Sequence, residues 1–247
     1  MSEEKPLASR NALVVGGGSG MGAAVALALA DAGARVAVSG RREDKLQEVA
    51  GQASEGVTVQ GYVADVSDRD SLAALFAWFD SGFGKLDILI NAAGINIPNR
   101  AMDELSPEDW DTVLKINLTG AYDCLRLALD RMRPNKDGLV VMINSISGKR
   151  SNPLGGVAYN ASKFGMTALG ACVAEEEREN GIRITNLFPG EVNTPILDQR
   201  QTPPTPEHRA GILQPEDIAA AVLMLAKLDP RAHVPELVIK PTSQGYL

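Results

Sequence analysis

Aromatic residues make up only 4% of this chain, and histidine and cysteine occur twice each. So few rings, on a chain of net charge −7, exclude a nucleic-acid surface, which needs clustered basic residues and platforms for bases to stack on. His208 and His233 stand apart from any cysteine or carboxylate cluster, so no metal site is expected. Cys124 and Cys172 both fall in apolar helical patterns and read as reduced core residues of a cytosolic protein, which places the chain in the cytoplasm. No uninterrupted apolar run is long enough to span a bilayer. The start, Met1-Ser2-Glu3-Glu4-Lys5-Pro6, lacks the apolar centre of a signal peptide. No membrane partner is expected.

What is present is an ordinary globular balance, 45% hydrophobic and 22% charged over 247 residues, enough to bury a core without covalent staples. Apolar strand runs at 12–15, 35–39, 57–63, 86–90, 139–144, 182–188 and 236–240 alternate with helical patterns. That alternation is the α/β class with a parallel sheet, and one domain over 1–247 is the economical reading. Ser67, with Asp70 three residues on, reads as the cap of the third helix. Ser106-Pro107-Glu108-Asp109 starts helical stretches at 107–115 and 119–133, with Asn117 between them, placed to bend the helix and hold a water. The charge run Glu175-Glu176-Glu177-Arg178-Glu179 reads as a solvated helix face. Residues 95–105 form a loop. The polar, proline-rich stretch around 195–213 suggests a mobile lid.

Three features carry chemistry. The first strand stops at the turn Gly16-Gly17-Gly18-Ser19-Gly20-Met21-Gly22, and a long helix follows. Glycines so placed let backbone approach a pyrophosphate at a helix N-terminus, where free N–H groups favour an anion. The second strand ends at Arg41-Arg42 with no carboxylate before Glu43. Two arginines entering a helix oppose its dipole by roughly 0.3–1 kcal/mol each. The 2′-phosphate of NADP(H) would offset that, so NADP(H) is preferred and NAD(H) is the alternative. The third feature is Tyr159 and Lys163, four residues apart on one helix face, with Ser145 upstream. An ammonium beside a phenol is expected to pull its pKa down from about 10 towards working pH, which makes a proton-transfer site.

Taken together, these motifs resemble the short-chain dehydrogenase/reductase family over essentially the whole chain. The matching pieces run in the family's order: the glycine turn, Asp65-Val66, Asn91-Ala92-Ala93-Gly94, Asn117, Ser145, Tyr159 with Lys163, and Pro189-Gly190. The resemblance implies a doubly wound Rossmann fold with seven parallel strands in the order 3-2-1-4-5-6-7. It implies reversible hydride transfer between a nicotinamide and a small-molecule alcohol or carbonyl. It makes Tyr159 the proton donor, Lys163 the group that lowers its pKa and grips the nicotinamide ribose, and Ser145 the hydrogen-bonding partner of the substrate oxygen. Asn117 would hold a water linking Lys163 to solvent. Gly16, Gly18, Ser19, Gly20, Met21 and Gly22 would cradle the cofactor, with Arg41 and Arg42 at its phosphate and Asp65 and Val66 at its adenine. Asn91, Ala92 and Gly94 would line the adenosine side, and Pro189, Gly190, Val192 and Thr194 would fix the nicotinamide. The family also pairs the helices at 107–133 and 157–180, which implies a homodimer or homotetramer.

The chain departs from the family pattern in three places. Val15 stands where a threonine usually opens the glycine turn. Ser145 and Tyr159 are 14 residues apart (159 − 145), one more than the pattern, which leaves Ser147 as a second candidate. The ending Pro241-Thr242-Ser243-Gln244 is similar to that of the NADP-dependent serine and 3-hydroxy acid dehydrogenases. That ranks a 3-hydroxy acid first, then a 3-oxoacyl thioester, then a sugar, polyol or steroid alcohol. A non-catalytic NADP(H)-sensing protein is the reading from another class.

Overall fold

Strand β1 (Asn11–Val15) alternates its side chains between two cores, and the rest of the sheet follows that alternation. Val14 packs with Val36, Ile90, Val141 and Leu187 on one face, whereas Leu13 and Val15 pack with Ala37, Leu89, Val140 and Ile184 on the other. Both faces of the sheet are therefore covered, which is why the inner strands read as continuous apolar runs. A computed structural model describes residues 5–245. The expectation placed on Met1 to Glu4 lies outside the described residues.

The remaining strands are β2 (Arg35–Gly40), β3 (Val59–Val63), β4 (Ile88–Asn91), β5 (Gly138–Ile143), β6 (Ile182–Pro189) and β7 (Glu236–Ile239). All pair in parallel, in the order 3-2-1-4-5-6-7. Helices α1 (Gly20–Asp31) and α8 (Pro215–Lys227) lie together on the first face, with α2 (Glu43–Gly51) contributing Leu46 and Val49. Helices α3 (Arg69–Phe83), α5 (Gly120–Met132) and α6 (Val157–Glu176) cover the second. β1 lies between β2 and β4, so the chain reverses its winding there and opens a crevice at the strands' carboxyl ends. The doubly wound fold and its strand order are as the resemblance implied.

Local chemistry corrects several expectations. The cap of α3 is Asp68, whose carboxylate accepts from the Asp70 N–H at 3.0 Å. Ser67 instead donates its hydroxyl to Asp65 at 2.8 Å. The serine stands one residue too early to cap. Cys124 is buried, and burial pushes its thiol up to about 12, but Cys172 is exposed on α6. Its helical pattern was apolar without facing a core. In the charge run at the end of α6, Glu177 is not solvated: it is 3% exposed and held by Arg133 at 2.6 Å and by Asn180 at 2.8 Å. Between α4 (Pro107–Leu114) and α5, the expected bend is a π-helical turn at Lys115–Thr119, with Asn117 inside it. The segment read as a lid contains a 3₁₀ turn (Pro195–Gln199) and a short helix α7 (Pro206–Ala210) capped by Thr205. Arg209 joins the two by binding Asp198, Asn193 and the Pro204 carbonyl.

Candidate active site

The glycine turn is built for close approach. Gly16 takes φ +85°, and a Cβ there would lie 2.5 Å from the Ala93 nitrogen, while one on Gly22 would fall on the Gly16 carbonyl oxygen. The N–H groups of Gly16 and Gly17 both donate to the Ser39 carbonyl, at 2.8 and 2.9 Å. That braces the turn although Val15 offers no hydroxyl. The first turn of α1 contains no acidic residue, and Ser19 makes no side-chain cap bond, so the positive end of this helix is uncompensated by the protein.

That end faces a crevice of about 690 Å³. Gly16, Gly18, Ser19, Gly20, Met21 and Gly22 line it, as do Arg41, Arg42, Asp65, Val66, Ala92, Gly94 and Thr194. Arg42 reaches the Ser19 hydroxyl at 3.3 Å. Among the described residues neither arginine forms an ion pair with Glu43 or Asp44. Asp65 is half-buried; burial alone would raise its carboxyl, but Ser67's N–H and hydroxyl, with Arg41 and Lys115 nearby, hold it below its ordinary value. The space, the free helix end and the donors fit a dinucleotide carrying phosphates. Lys45, on the first turn of α2, also lines the crevice and was not singled out from the sequence.

Asn91 does not line the crevice. It is 1% exposed and donates to the Ala121 carbonyl at 3.2 Å, tying β4 to α5. Pro189, Gly190 and Val192 line a second cavity of about 170 Å³, together with Ser145 and Tyr159. The two cavities share Met21, Asn96, Thr194 and Ile196, so they abut.

Ser145 and Tyr159 meet in the second cavity, where Ser145 tempers the rise of the Tyr159 pKa. The longer separation therefore does not displace Ser145. Ser147 is buried behind it and donates its N–H to the Ser145 oxygen at 3.1 Å, which leaves the Ser145 hydroxyl hydrogen free to point elsewhere. Lys163 lies one turn along α6, 3% exposed, with its Nζ 5.7 Å from the Tyr159 ring centroid. Asn117 is fully buried; its Oδ1 accepts from the Ile95 N–H at 2.8 Å, and its Nδ2 donates to the Ile95 carbonyl and the Ser162 hydroxyl. Both of its amide hydrogens are used within the protein. Gly94 passes over Asn117 and Lys163, and a Cβ there would sit 3.5 Å from Asn117 Oδ1 and 3.8 Å from Lys163 Nζ.

One electrostatic expectation is reversed. Burial pushes the Tyr159 phenol above its ordinary value; Ser145 and the charge of Arg100 offset part of that. Lys163 is not among the groups that lower it. Burial instead depresses Lys163 itself, to about 8. Sequence spacing gave proximity but not the desolvation that acts on both groups. Arg100, in the loop 95–105, was also not foreseen, since nothing local marks one loop arginine as different from another.

A profile of the short chain dehydrogenase family matches residues 10–204. The chain belongs to that family and is an oxidoreductase using a nicotinamide dinucleotide. It is 32% identical over 235 residues to an uncharacterised oxidoreductase of Staphylococcus aureus, covering 95% of this chain and 98% of the relative. Two solved structures are similar throughout. One is an alcohol dehydrogenase from the archaeon Thermococcus sibiricus complexed with 5-hydroxy-NADP, at a TM-score of 0.86 and 29% identity, covering 96% of this chain and 98% of that one. The other is a metagenomic short-chain oxidoreductase in complex with NADP, at 0.83 and 30%, covering 97% and 100%.

Proposed function

We propose that the protein is an NADP(H)-dependent oxidoreductase acting on the hydroxyl or oxo group of a small molecule, a 3-hydroxy acid before a 3-oxoacyl thioester. The observation that carries this reading is the junction of the two cavities. Ser145 and Tyr159 stand together in a small chamber that opens onto the glycine-lined crevice. NADP(H) is favoured because both similar structures hold it or its analogue, and because Arg41 and Arg42 line the crevice and neither is ion-paired to Glu43 or Asp44 among the described residues.

When bound in the crevice, the nicotinamide supplies or accepts a hydride. In the reductive direction Tyr159 donates its proton to the substrate oxygen; its raised pKa keeps it protonated at neutral pH. Ser145, oriented by the Ser147 N–H, donates a hydrogen bond to the same oxygen as negative charge develops there. Lys163 holds an ammonium behind the phenol, and Asn117 fixes the backbone at Ile95 on the crevice's wall. The segment 195–213 closes over the bound pair as a lid on the single domain. The protein works in the cytoplasm as a homodimer or homotetramer, a reading supported by the exposed Tyr122 and Phe164 on α5 and α6.

The test is turnover with NADP⁺ and NADPH across a panel of small alcohols and carbonyls. Activity confined to small hydroxy or oxo compounds, with NADPH preferred over NADH, is expected. Tight cofactor binding without turnover of any of them would instead identify a redox-sensing binder.

A further inference from the structure

Among the described residues, three charged side chains line the small chamber: Arg100, Arg200 and Glu191. Arg200 is neutralised within the wall: it binds Glu191 at 2.6 Å, and Glu191 also holds His208 at 2.8 Å. Arg100 has no carboxylate partner among the described residues. Its two terminal nitrogens donate to backbone carbonyls, Nη1 to Leu154 at 3.1 Å and Nη2 to Gln199 at 2.7 Å. Those bonds fix the guanidinium between three of the segments that line the chamber: its own loop, the loop before α6, and the 3₁₀ turn of the lid. The Val157 N–H closes the frame by donating to the Arg100 carbonyl at 3.1 Å. Two arginines against one glutamate leave one positive charge in a chamber of a protein whose net charge is −7.

A half-buried guanidinium held by neutral carbonyls has its geometry satisfied but not its charge. Arginine stays protonated at every working pH, so the charge does not vanish by titration. We infer that Arg100 receives the carboxylate of the substrate, so that the chamber selects a small free acid over its ester, amide or thioester. The inference rests on the hydride-transfer reading and decides between its two preferred substrates: a thioester has no carboxylate to offer at that carbonyl. The volume agrees, because about 170 Å³ is below the range of drug-sized pockets and suits a molecule of few heavy atoms. Burial and the like charge of Arg200 pull the Arg100 guanidinium below its ordinary value, whereas negative charge on Tyr159 would raise it. An anion beside the reacting oxygen therefore relieves Arg100.

The experiment measures kcat/KM for small 3-hydroxy acids, each paired with its methyl ester, using wild type, Arg100→Met and Arg100→Lys with NADP⁺. Wild type is expected to favour the acid. Arg100→Met should lower the acid-to-ester ratio roughly ten- to a hundredfold, mainly through KM, as expected for a lost charge-assisted bond. Arg100→Lys should recover part of the ratio, since it keeps the charge without the fork. An unchanged ratio with both activities lowered would make Arg100 only a loop pin and overturn the inference. A second readout needs no variant: butanoate should inhibit wild-type ester turnover competitively and butanamide should not, and equal inhibition by both would also overturn it. Turnover of esters without acids would remove the carboxylate site and leave the hydride-transfer reading standing. Turnover of neither, despite NADP⁺ binding, would remove both.

Discussion

Lys163 Nζ donates to the carbonyl oxygen of Ile143 at 3.1 Å, and among the described residues its one other polar contact is the sulfur of Met166 at 3.8 Å. The lysine at the centre of the site is thus held by the end of β5 and not by a carboxylate. Its burial without an ionic partner lowers its pKa from 10.5 to about 8.

That shift has a sign. Below pH 8 the lysine is charged both folded and unfolded, and the fold bears the whole cost of burying the charge. Between about 8 and 10.5 the unfolded chain binds the extra proton, so this contribution to stability rises with pH. The cost below that window is on the order of 3 kcal/mol, less what the substitution loses at the Ile143 carbonyl. Lys163→Met is therefore expected to be more stable than wild type at pH 7 by roughly 1–2 kcal/mol. The advantage should shrink by pH 10. Denaturant unfolding of both proteins at the two pH values measures this, and a variant less stable at pH 7 would show that the ammonium is compensated.

Arg41→Ala should weaken NADPH binding about tenfold or more, the size of a lost charge-assisted contact, and change NADH affinity little. Fluorescence titration with each dinucleotide gives the comparison. Equal losses for the two would assign Arg41 to the fold, not to a phosphate.

Glu177 offers a test of packing away from the site. Its carboxyl is held below its ordinary value chiefly by the Arg133 bond, and Asn180 assists. Arg133→Ala leaves a buried carboxylate with a single side-chain partner, at an expected cost of about 1–2 kcal/mol at pH 7. The pair's stabilisation is present above the unfolded glutamate value of about 4.3 and is lost as pH falls through the lower folded value. The difference between the two proteins should accordingly narrow in acid. Thermal unfolding at pH 7 and in acid checks both parts.

The architecture was legible because period-2 and period-3.6 patterns report burial directly: the apolar runs at 12–15, 86–90, 139–144 and 182–188 coincide to within two residues with strands β1, β4, β5 and β6. The site was legible where spacing implies geometry, as for Tyr159 and Lys163 on one helix. Quantities set by distant parts of the chain were not. Arg133 lies 44 residues from Glu177, so a charge run gave no hint that one member is buried. Arg100 acquires its place only when Leu154 and Gln199 come to it from loops with no periodic pattern. The pKa directions at Tyr159 and Lys163 depend on how much protein surrounds them, which sequence spacing does not contain. Capping at Asp68 instead of Ser67 turned on one residue of register, the scale at which helix ends escape pattern reading.

The most direct measurement is single-turnover reduction by wild type and Tyr159→Phe, with NADPH and the best carbonyl substrate of the panel. The variant should bind NADPH with near-wild-type affinity and lose on the order of 10²–10⁴ in the rate of the chemical step, the range of a general acid. A Tyr159→Phe enzyme that reduces its substrate within a few-fold of the wild-type rate would contradict the account at its centre.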